Sequence, residues 1–294
     1  MRYEIRGTQI FFAIESIKGL ATVQEFLDKY IPSRKQQHLL YQKKRIFLDR
    51  EVAKRESFLQ GNYLILPLYE EKGSHFPPQR QRVAIPYRDP FLLVAYKEAG
   101  LLVHSDGEKE ISLTELLQGQ RREKLQAIHR LDKDTCGLVL FSRSPLFQSL
   151  FDKMMQEREI SREYIAIVQG RIKKGSHFSY QQPIGRDRHN ARKMRLSRAG
   201  KSACTEVIGL GGNGEVSVVS CHLQTGRTHQ IRVHFAGNAH PLLGDELYGK
   251  KDERGLALFA TRLRFYHPFL EKEILVEAPL PSTYENLYAE CIHK

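Results

Sequence analysis

129-HRLDKDTCGLVLFSR-143 sets a histidine and four charged residues within six positions and then turns apolar. The apolar part, 138-LVLF-141, reads as a buried strand bounded by turn residues. FLLVAYK, LLVHS, EYIAIVQG, GEVSVVSCHL and KEILVEAP repeat the pattern between residues 91 and 279. Two helices interrupt these runs. In 144-SPLFQSLFDKMMQE-157, Ser144 is the expected cap, Pro145 the first helical residue, and Leu146, Leu150 and Met154 one face. The other, THQIRVHFAGN, starts at Thr228 and stops near Gly237-Asn238. Many strands and few helices predict an α+β fold with a mainly antiparallel mixed sheet, not a doubly wound one.

Upstream, TVQEFLDKYI spaces Val23, Phe26, Leu27 and Ile31 as a helix face that Pro32 ends. SRKQQHLLYQKKR predicts a second helix capped by Ser33, with Leu39 and Leu40 inward and Arg34, Lys35, Lys43, Lys44 and Arg45 outward. The runs IFLDREV and NYLILPLYE follow as strands, with Gly61-Asn62 as the turn between them. The expected organisation is a small α+β domain over 1–75, a linker rich in Pro, Gly and charge over 76–88, and a larger sheet domain over 89–294. The basic face of the small domain suits RNA, or is a solvated surface.

The 294-residue chain carries a formal charge of +12, which favours anionic partners and nucleic acid first among them. No apolar run reaches the roughly 20 residues that span a bilayer, and the N-terminus lacks the pattern of a signal peptide. Cys136, Cys204, Cys221 and Cys291 form no C-x-x-C pair and suit reduced thiols in the cytoplasm.

Asp132 stands between Arg130 and Lys133, and a carboxylate among cations stays ionised, as a nucleophile or electrostatic stabiliser must. A surface ion pair gives the same local pattern. In 224-QTGRTHQIRVHFAGNAHPLLGDELYG-249, Arg227 sits at a helix start and Arg232 further in. A buried arginine needs a carboxylate, and Asp132 is the expected partner. Histidines 229, 234 and 240 with Asp245 raise a metal site, but the i,i+4 spacing of H-E-x-x-H is missing, so none is expected. The stretch 186–201 holds seven Lys or Arg against one Asp, which suits an arm tracking phosphates or a solvated surface.

Together these stretches resemble the RluA-like family of RNA pseudouridine synthases. HRLDKDTCGLVLFSR is similar to its H-R-L-D-x-x-T-S-G motif, and REYIAIVQG to its K/R-x-Y-x-A-x-V-x-G strand. PIGRDRHNARKM with GKSACTEV resembles the P-I-G-R…K-M…G-K-x-A-x-T block. QTGRTHQIRVHFA with HPLLGDELYG resembles G-R-T-H-Q-I-R-x-H and G-D-x-x-Y-G. The matches fall in family order across roughly residues 90–280, and residues 20–70 resemble a small RNA-binding domain of ribosomal proteins. Cys136 replaces the usual Ser, and Glu98 stands where Pro is usual in V-x-N-K-P-x-G-L-x-V-H.

The resemblance implies the fold of that catalytic core and isomerisation of uridine in folded RNA, ribosomal or transfer, without cofactor or metal, by a monomer. It implies Asp132 as the catalytic aspartate, Tyr164 against the flipped base, Arg232 paired with the aspartate and Arg130 in the vacated base position. His129, Arg227, His229, Arg186, Lys193, Arg34 and Lys35 complete the expected RNA contacts. Cleavage at C1′ builds positive charge on the sugar, as in glycoside cleavage, and one carboxylate could attack it, stabilise it or take the 2′ proton. The competing reading is a non-catalytic RNA-binding or ribosome-assembly protein on the same fold.

Overall fold

The computed structural model describes residues 1–69, 81–105 and 110–293. An N-terminal sheet is built from β1 (Tyr3–Arg6), β2 (Gln9–Ala13), β3 (Phe47–Leu48), β4 (Glu51–Val52) and β5 (Tyr63–Pro67), in the order β1-β2-β5-β3-β4. Between β2 and β3 lie α1 (Val23–Tyr30) and α2 (Arg34–Gln42). Thr22 and Glu25 close a reciprocal capping box on α1, and Ser33 accepts from Gln36 N to cap α2. Leu40 is buried as expected, but Leu39 points to solvent. The run IFLDREV is a hairpin in itself, β3 with β4, turning at Asp49, which takes φ 51°.

The larger sheet comprises β6 (Tyr87–Arg88), β7 (Leu92–Lys97), β8 (Gln126–Ala127), β9 (Cys136–Ser142), β10 (Ile160–Gln169), β11 (His177–Tyr180), β14 (Thr205–Gly212), β15 (Val216–Leu223), β16 (Leu258–His267) and β17 (Lys272–Glu277). Its path is β11-β14-β15-β10-β16-β9-β7-β6, with β17 on β16 and β8 on β9. A separate hairpin joins β12 (Ile184–Arg186) to β13 (Met194–Leu196). The helices are α3 (Leu113–Arg121), α4 (Gln148–Gln156), α5 (Gln230–Gly237) and α6 (Ser282–His293). All pairs in the large sheet are antiparallel except β9 with β16, where Cys136 meets Phe259 and Gly137 meets Ala260. The sheet is therefore mixed and mainly antiparallel, as the strand runs imply.

Four readings change. Residues 101–105 form no strand; the carbonyls of Leu102 and Val103 accept from Leu113 N and Thr114 N at the start of α3. Ser144 does not cap α4, which begins at Gln148; its hydroxyl donates to Leu68 O at 2.6 Å. Two further helices, α3 and α6, pack with the strands. Of the expected linker, residues 76–80 lie outside the described residues, whereas Val83 and Ile85 pack on the core and β6 pairs with β7.

The sheet is covered on both faces. Tyr164, Val219, Ile231 and Phe235 share one apolar cluster, which brings α5 over β10 and β15. Ile165, Val218, Phe259 and Tyr284 share another, beneath α6. Residues 1–69 bury their aromatics with those of the larger sheet region: Phe269 stacks on Phe12, Tyr30 and Phe91 with centroids 5.8, 5.3 and 4.2 Å apart.

Candidate active site

Asp132 lies in the loop between β8 and β9. Two devices set this loop. Lys97, fully buried at the end of β7, donates to Lys133 O at 2.7 Å, Leu101 O at 2.7 Å and Glu98 O at 3.0 Å. Gly137 takes φ 119° where β9 crosses β16, and a β-carbon there would run into the Ala260 carbonyl. Thr135 N then donates to Asp132 O at 3.1 Å and closes the turn. Of the two loop charges beside Asp132 and Arg130, Lys133 pairs with Glu110 at 2.7 Å.

The opposite wall comes from α5 and its approach. Gln230 braces the turn, its Oε1 accepting from Thr225 Oγ1 and Arg227 N, its Nε2 donating to Cys204 O and Thr205 Oγ1. His229 adopts the left-handed conformation at the helix start. A cleft of about 830 Å³ opens between these walls, large enough for a nucleotide with part of its backbone. His129, Arg130, Asp132, Tyr164, Arg227, His229 and Arg232 all line it.

Arg232 meets two carboxylates where one was expected. Its closest partner is not Asp132 but Asp245, which is fully buried and accepts from Nε and Nη2 at 2.8 Å each. Asp245 also accepts from Leu247 N and Tyr248 N, at 3.0 and 3.1 Å. A buried guanidinium needs a fork-shaped, fully bonded carboxylate, and a partly exposed one in an open cleft does not supply it. Asp132 stands at the remaining edge, 3.7 Å from Arg232 Nη1 and 3.9 Å from His229 Nε2. Burial opposes the charge on Arg232, but its bonds to Asp245 and the nearby Asp132 raise its pKa above the ordinary value.

Tyr164 leaves β10 into the apolar cluster and is nearly fully buried; burial raises its pKa, so the phenol is neutral. His129 is buried beneath the cleft. Its Nε2 accepts from Leu140 N at 3.2 Å, and burial, with the Arg162 charge second, pushes its pKa down to about 3. It is a neutral acceptor that ties the loop to β9. His229 shares a 2.8 Å hydrogen bond with Tyr248 Oη through Nδ1; burial lowers its pKa.

The basic residues divide. Arg186 and Lys193 belong to the β12–β13 hairpin, which docks on the site through Tyr248: Met194 N donates to Tyr248 Oη at 2.8 Å, and Lys193 Nζ lies 5.9 Å from its ring centroid. Arg34 and Lys35 are exposed on α2 and do not line the cleft. That helix touches the larger region through Gln36, which donates to Pro145 O at 2.8 Å.

The histidines raised as metal ligands are held by separate partners. His234 bonds Thr205 Oγ1 and Gln182 O, and His240 bonds Gln169 O. Asp245, Tyr248, Lys97 and Arg162 are site residues that sequence reasoning did not assign. The G-D-x-x-Y-G spacing carried a signal for the first two.

A family model described as RNA pseudouridylate synthase matches residues 91–237. The "Uncharacterized RNA pseudouridine synthase YhcT" of Bacillus subtilis is 33% identical over 240 residues, covering 78% of each chain. A "Ribosomal large subunit pseudouridine synthase D" of Neisseria meningitidis serogroup B is 33% identical over 81% of this chain and 69% of its own. Among solved structures, human RNA pseudouridylate synthase domain containing 1 aligns with a TM-score of 0.59 at 24% identity, over 70% of this chain and 86% of that one, a likeness of fold. On the family match and the relatives at this identity, the chain belongs to the RNA pseudouridylate synthase family.

Proposed function

We propose that this synthase modifies uridines in ribosomal RNA and that Asp132 is the carboxylate that reacts at the sugar. One observation carries the reading of the site. Asp132 lines the cleft 3.7 Å from Arg232, yet accepts no side-chain hydrogen bond among the described residues. The other carboxylate of the cleft wall, Glu206, is taken by Gln224 Nε2 at 3.1 Å. Asp132 is thus held beside a cation with lone pairs left for the substrate.

The reaction breaks N1–C1′ and joins C1′ to C5 of the same uracil; C5 gives up its proton and N1 ends protonated, so atoms balance. Positive charge builds on the sugar as N1 departs, and the Asp132 carboxylate meets it by attack, by charge stabilisation or by taking the 2′ proton. The base must leave its stack to reach the cleft. Arg130, exposed at the rim, suits the space the base vacates, and the neutral Tyr164 ring lies against the base. Ribosomal RNA is favoured because relatives carry ribosomal large-subunit names. Arg186, Lys193, Arg34 and Lys35 supply phosphate contacts outside the cleft.

As an isomerisation the reaction consumes no second substrate, and we take the enzyme to work as a monomer without metal or cofactor. Its four cysteines show no disulfide among the described residues and suit the reducing cytoplasm. The test maps pseudouridine in ribosomal and transfer RNA from cells with and without the protein, then in purified RNA with wild type, Asp132→Ala and Asp132→Asn. Modification should appear with wild type only. Undiminished modification by Asp132→Ala would remove Asp132 from the chemistry, and sites confined to transfer RNA would move the substrate.

A further inference from the structure

Arg162 lies on β10 two residues before Tyr164, so the two side chains leave the strand on one face, and both line the cleft with Asp132. Its guanidinium makes no hydrogen bond and no ion pair among the described residues, and its Nε is buried without an acceptor. The neighbouring Glu163 serves other groups, Ser220 Oγ at 3.0 Å and Arg262 Nη1 at 3.0 Å. Asp132 faces Arg232 and His229. Opposite the guanidinium stands Gly226: a β-carbon there would lie 3.6 Å from Arg162 Nη1, so the missing side chain leaves the space in front of it open.

A buried Nε–H without an acceptor is costly until one joins it, and the charge of the guanidinium makes an anion the best fit. Its charge already reaches its neighbours, acting after burial to lower the pKa of His129 and to oppose the rise at Tyr164. The anion that RNA brings into this cleft is the phosphodiester, and a guanidinium meets two of its oxygens side by side.

We propose that Arg162 binds a backbone phosphate next to the flipped uridine and so fixes the sugar over Asp132. The proposal rests on the RNA-modifying reading of the same cleft. It differs from the contacts of Arg186 and Lys193 in lying inside the cleft, where one particular linkage is held.

The test scans a short substrate RNA with a single neutral methylphosphonate at each linkage around the target uridine. Steady-state kinetics are read with wild type, Arg162→Gln and Arg162→Lys. At one linkage, neutralisation should raise KM for wild type by about ten- to a hundredfold, the range of a charge-assisted hydrogen bond. Arg162→Gln should raise KM on the unmodified RNA by a similar factor and lose nothing further from that methylphosphonate. Arg162→Lys should restore part of the loss. Multiplying losses at every linkage would overturn the proposal. If Arg162→Gln does not fold, the wild-type scan with Arg162→Lys decides, and a scan without a sensitive linkage overturns it. Wild type on unmodified RNA reads the activity itself, so a silent control there speaks against the substrate and not against Arg162.

Discussion

Arg232 sends Nε and Nη2 to the two oxygens of Asp245 at 2.8 Å each, while its Nη1 stops 3.7 Å from Asp132. One arginine thus serves two carboxylates with different tasks. Asp245 neutralises it in the core; Asp132 is left with an unspent oxygen in the cleft. Stability and activity should therefore separate between them. Asp245→Ala should cost about 3–5 kcal/mol, because it leaves a buried guanidinium without its partner. Asp132→Asn should change stability by less than about 1 kcal/mol, as expected for a partly exposed, loosely held charge. Urea unfolding measures both. Equal losses would mean that Asp132 is structural.

Tyr248 joins three parts of the site. Its hydroxyl accepts from Met194 N on the β12–β13 hairpin and shares a hydrogen bond with His229, each at 2.8 Å. Burial pushes its pKa up to about 12, so it remains a phenol at working pH. Tyr248→Phe should cost about 1 kcal/mol in unfolding free energy and free the hairpin that bears Arg186 and Lys193. The kinetic loss should fall on KM for RNA more than on kcat, and an unchanged KM would separate the hairpin from substrate binding.

Gly137→Ala should be more damaging than its size suggests. The residue takes φ 119°, and its β-carbon would meet the Ala260 carbonyl at the parallel contact of β9 and β16. Strain and overpacking together should cost at least about 2 kcal/mol. A variant as stable as wild type in urea would mean that the contact yields freely.

What the chain revealed of itself depended on how local the signal was. The helix face of α1 and the apolar run of β9 were legible because spacing and sharp polarity changes are local. The pairing of β9 with β16 was not, since about 120 residues separate them and only Gly137 marks the contact. β14 was missed because Gly209 and Gly211 interrupt its apolar run, and β16 because Arg262 and Arg264 alternate with Leu263 and Phe265 where the other strands run apolar. Asp132, Tyr164 and the α5 residues were singled out through motif order, and they line one cleft. The expected ion pair of Arg232 with Asp132 is present at 3.7 Å, but the closer partner went unread, because nothing in the sequence separates the fully buried Asp245 from Asp132 in the cleft. Arg162 fills the K/R of the K/R-x-Y motif, but no role was read from it, because an acceptor missing from its Nε shows only in the structure.

Arg34 and Lys35 should act on affinity through charge alone. They are exposed on α2, outside the cleft. Arg34→Gln with Lys35→Gln should weaken RNA binding and flatten the plot of log K against log salt by about 0.7–0.9 for each phosphate that the helix no longer neutralises. A slope equal to that of wild type would take this helix off the RNA.

Lys97 should leave a mark in the pH dependence of stability. It is fully buried, and burial pushes its pKa from 10.5 down to about 8. Below about pH 8 it is charged in both folded and unfolded chains, and the folded state carries the full burial penalty. Between about pH 8 and 10.5 the unfolded chain holds the proton more tightly, so unfolding takes up protons and stability rises with pH. Lys97→Met lacks this contribution. The unfolding free energy of wild type minus that of Lys97→Met should therefore grow by up to about 3 kcal/mol from neutral pH to about 10.5. The methionine also leaves the carbonyls of Glu98, Leu101 and Lys133 without their shared donor, so the Asp132 loop should loosen at every pH. Urea unfolding at stepped pH reads the first effect, and amide exchange of Gly100, which donates to Lys133 O at 2.9 Å, reads the second. A difference that stays flat with pH would show that Lys97 titrates as it does in water.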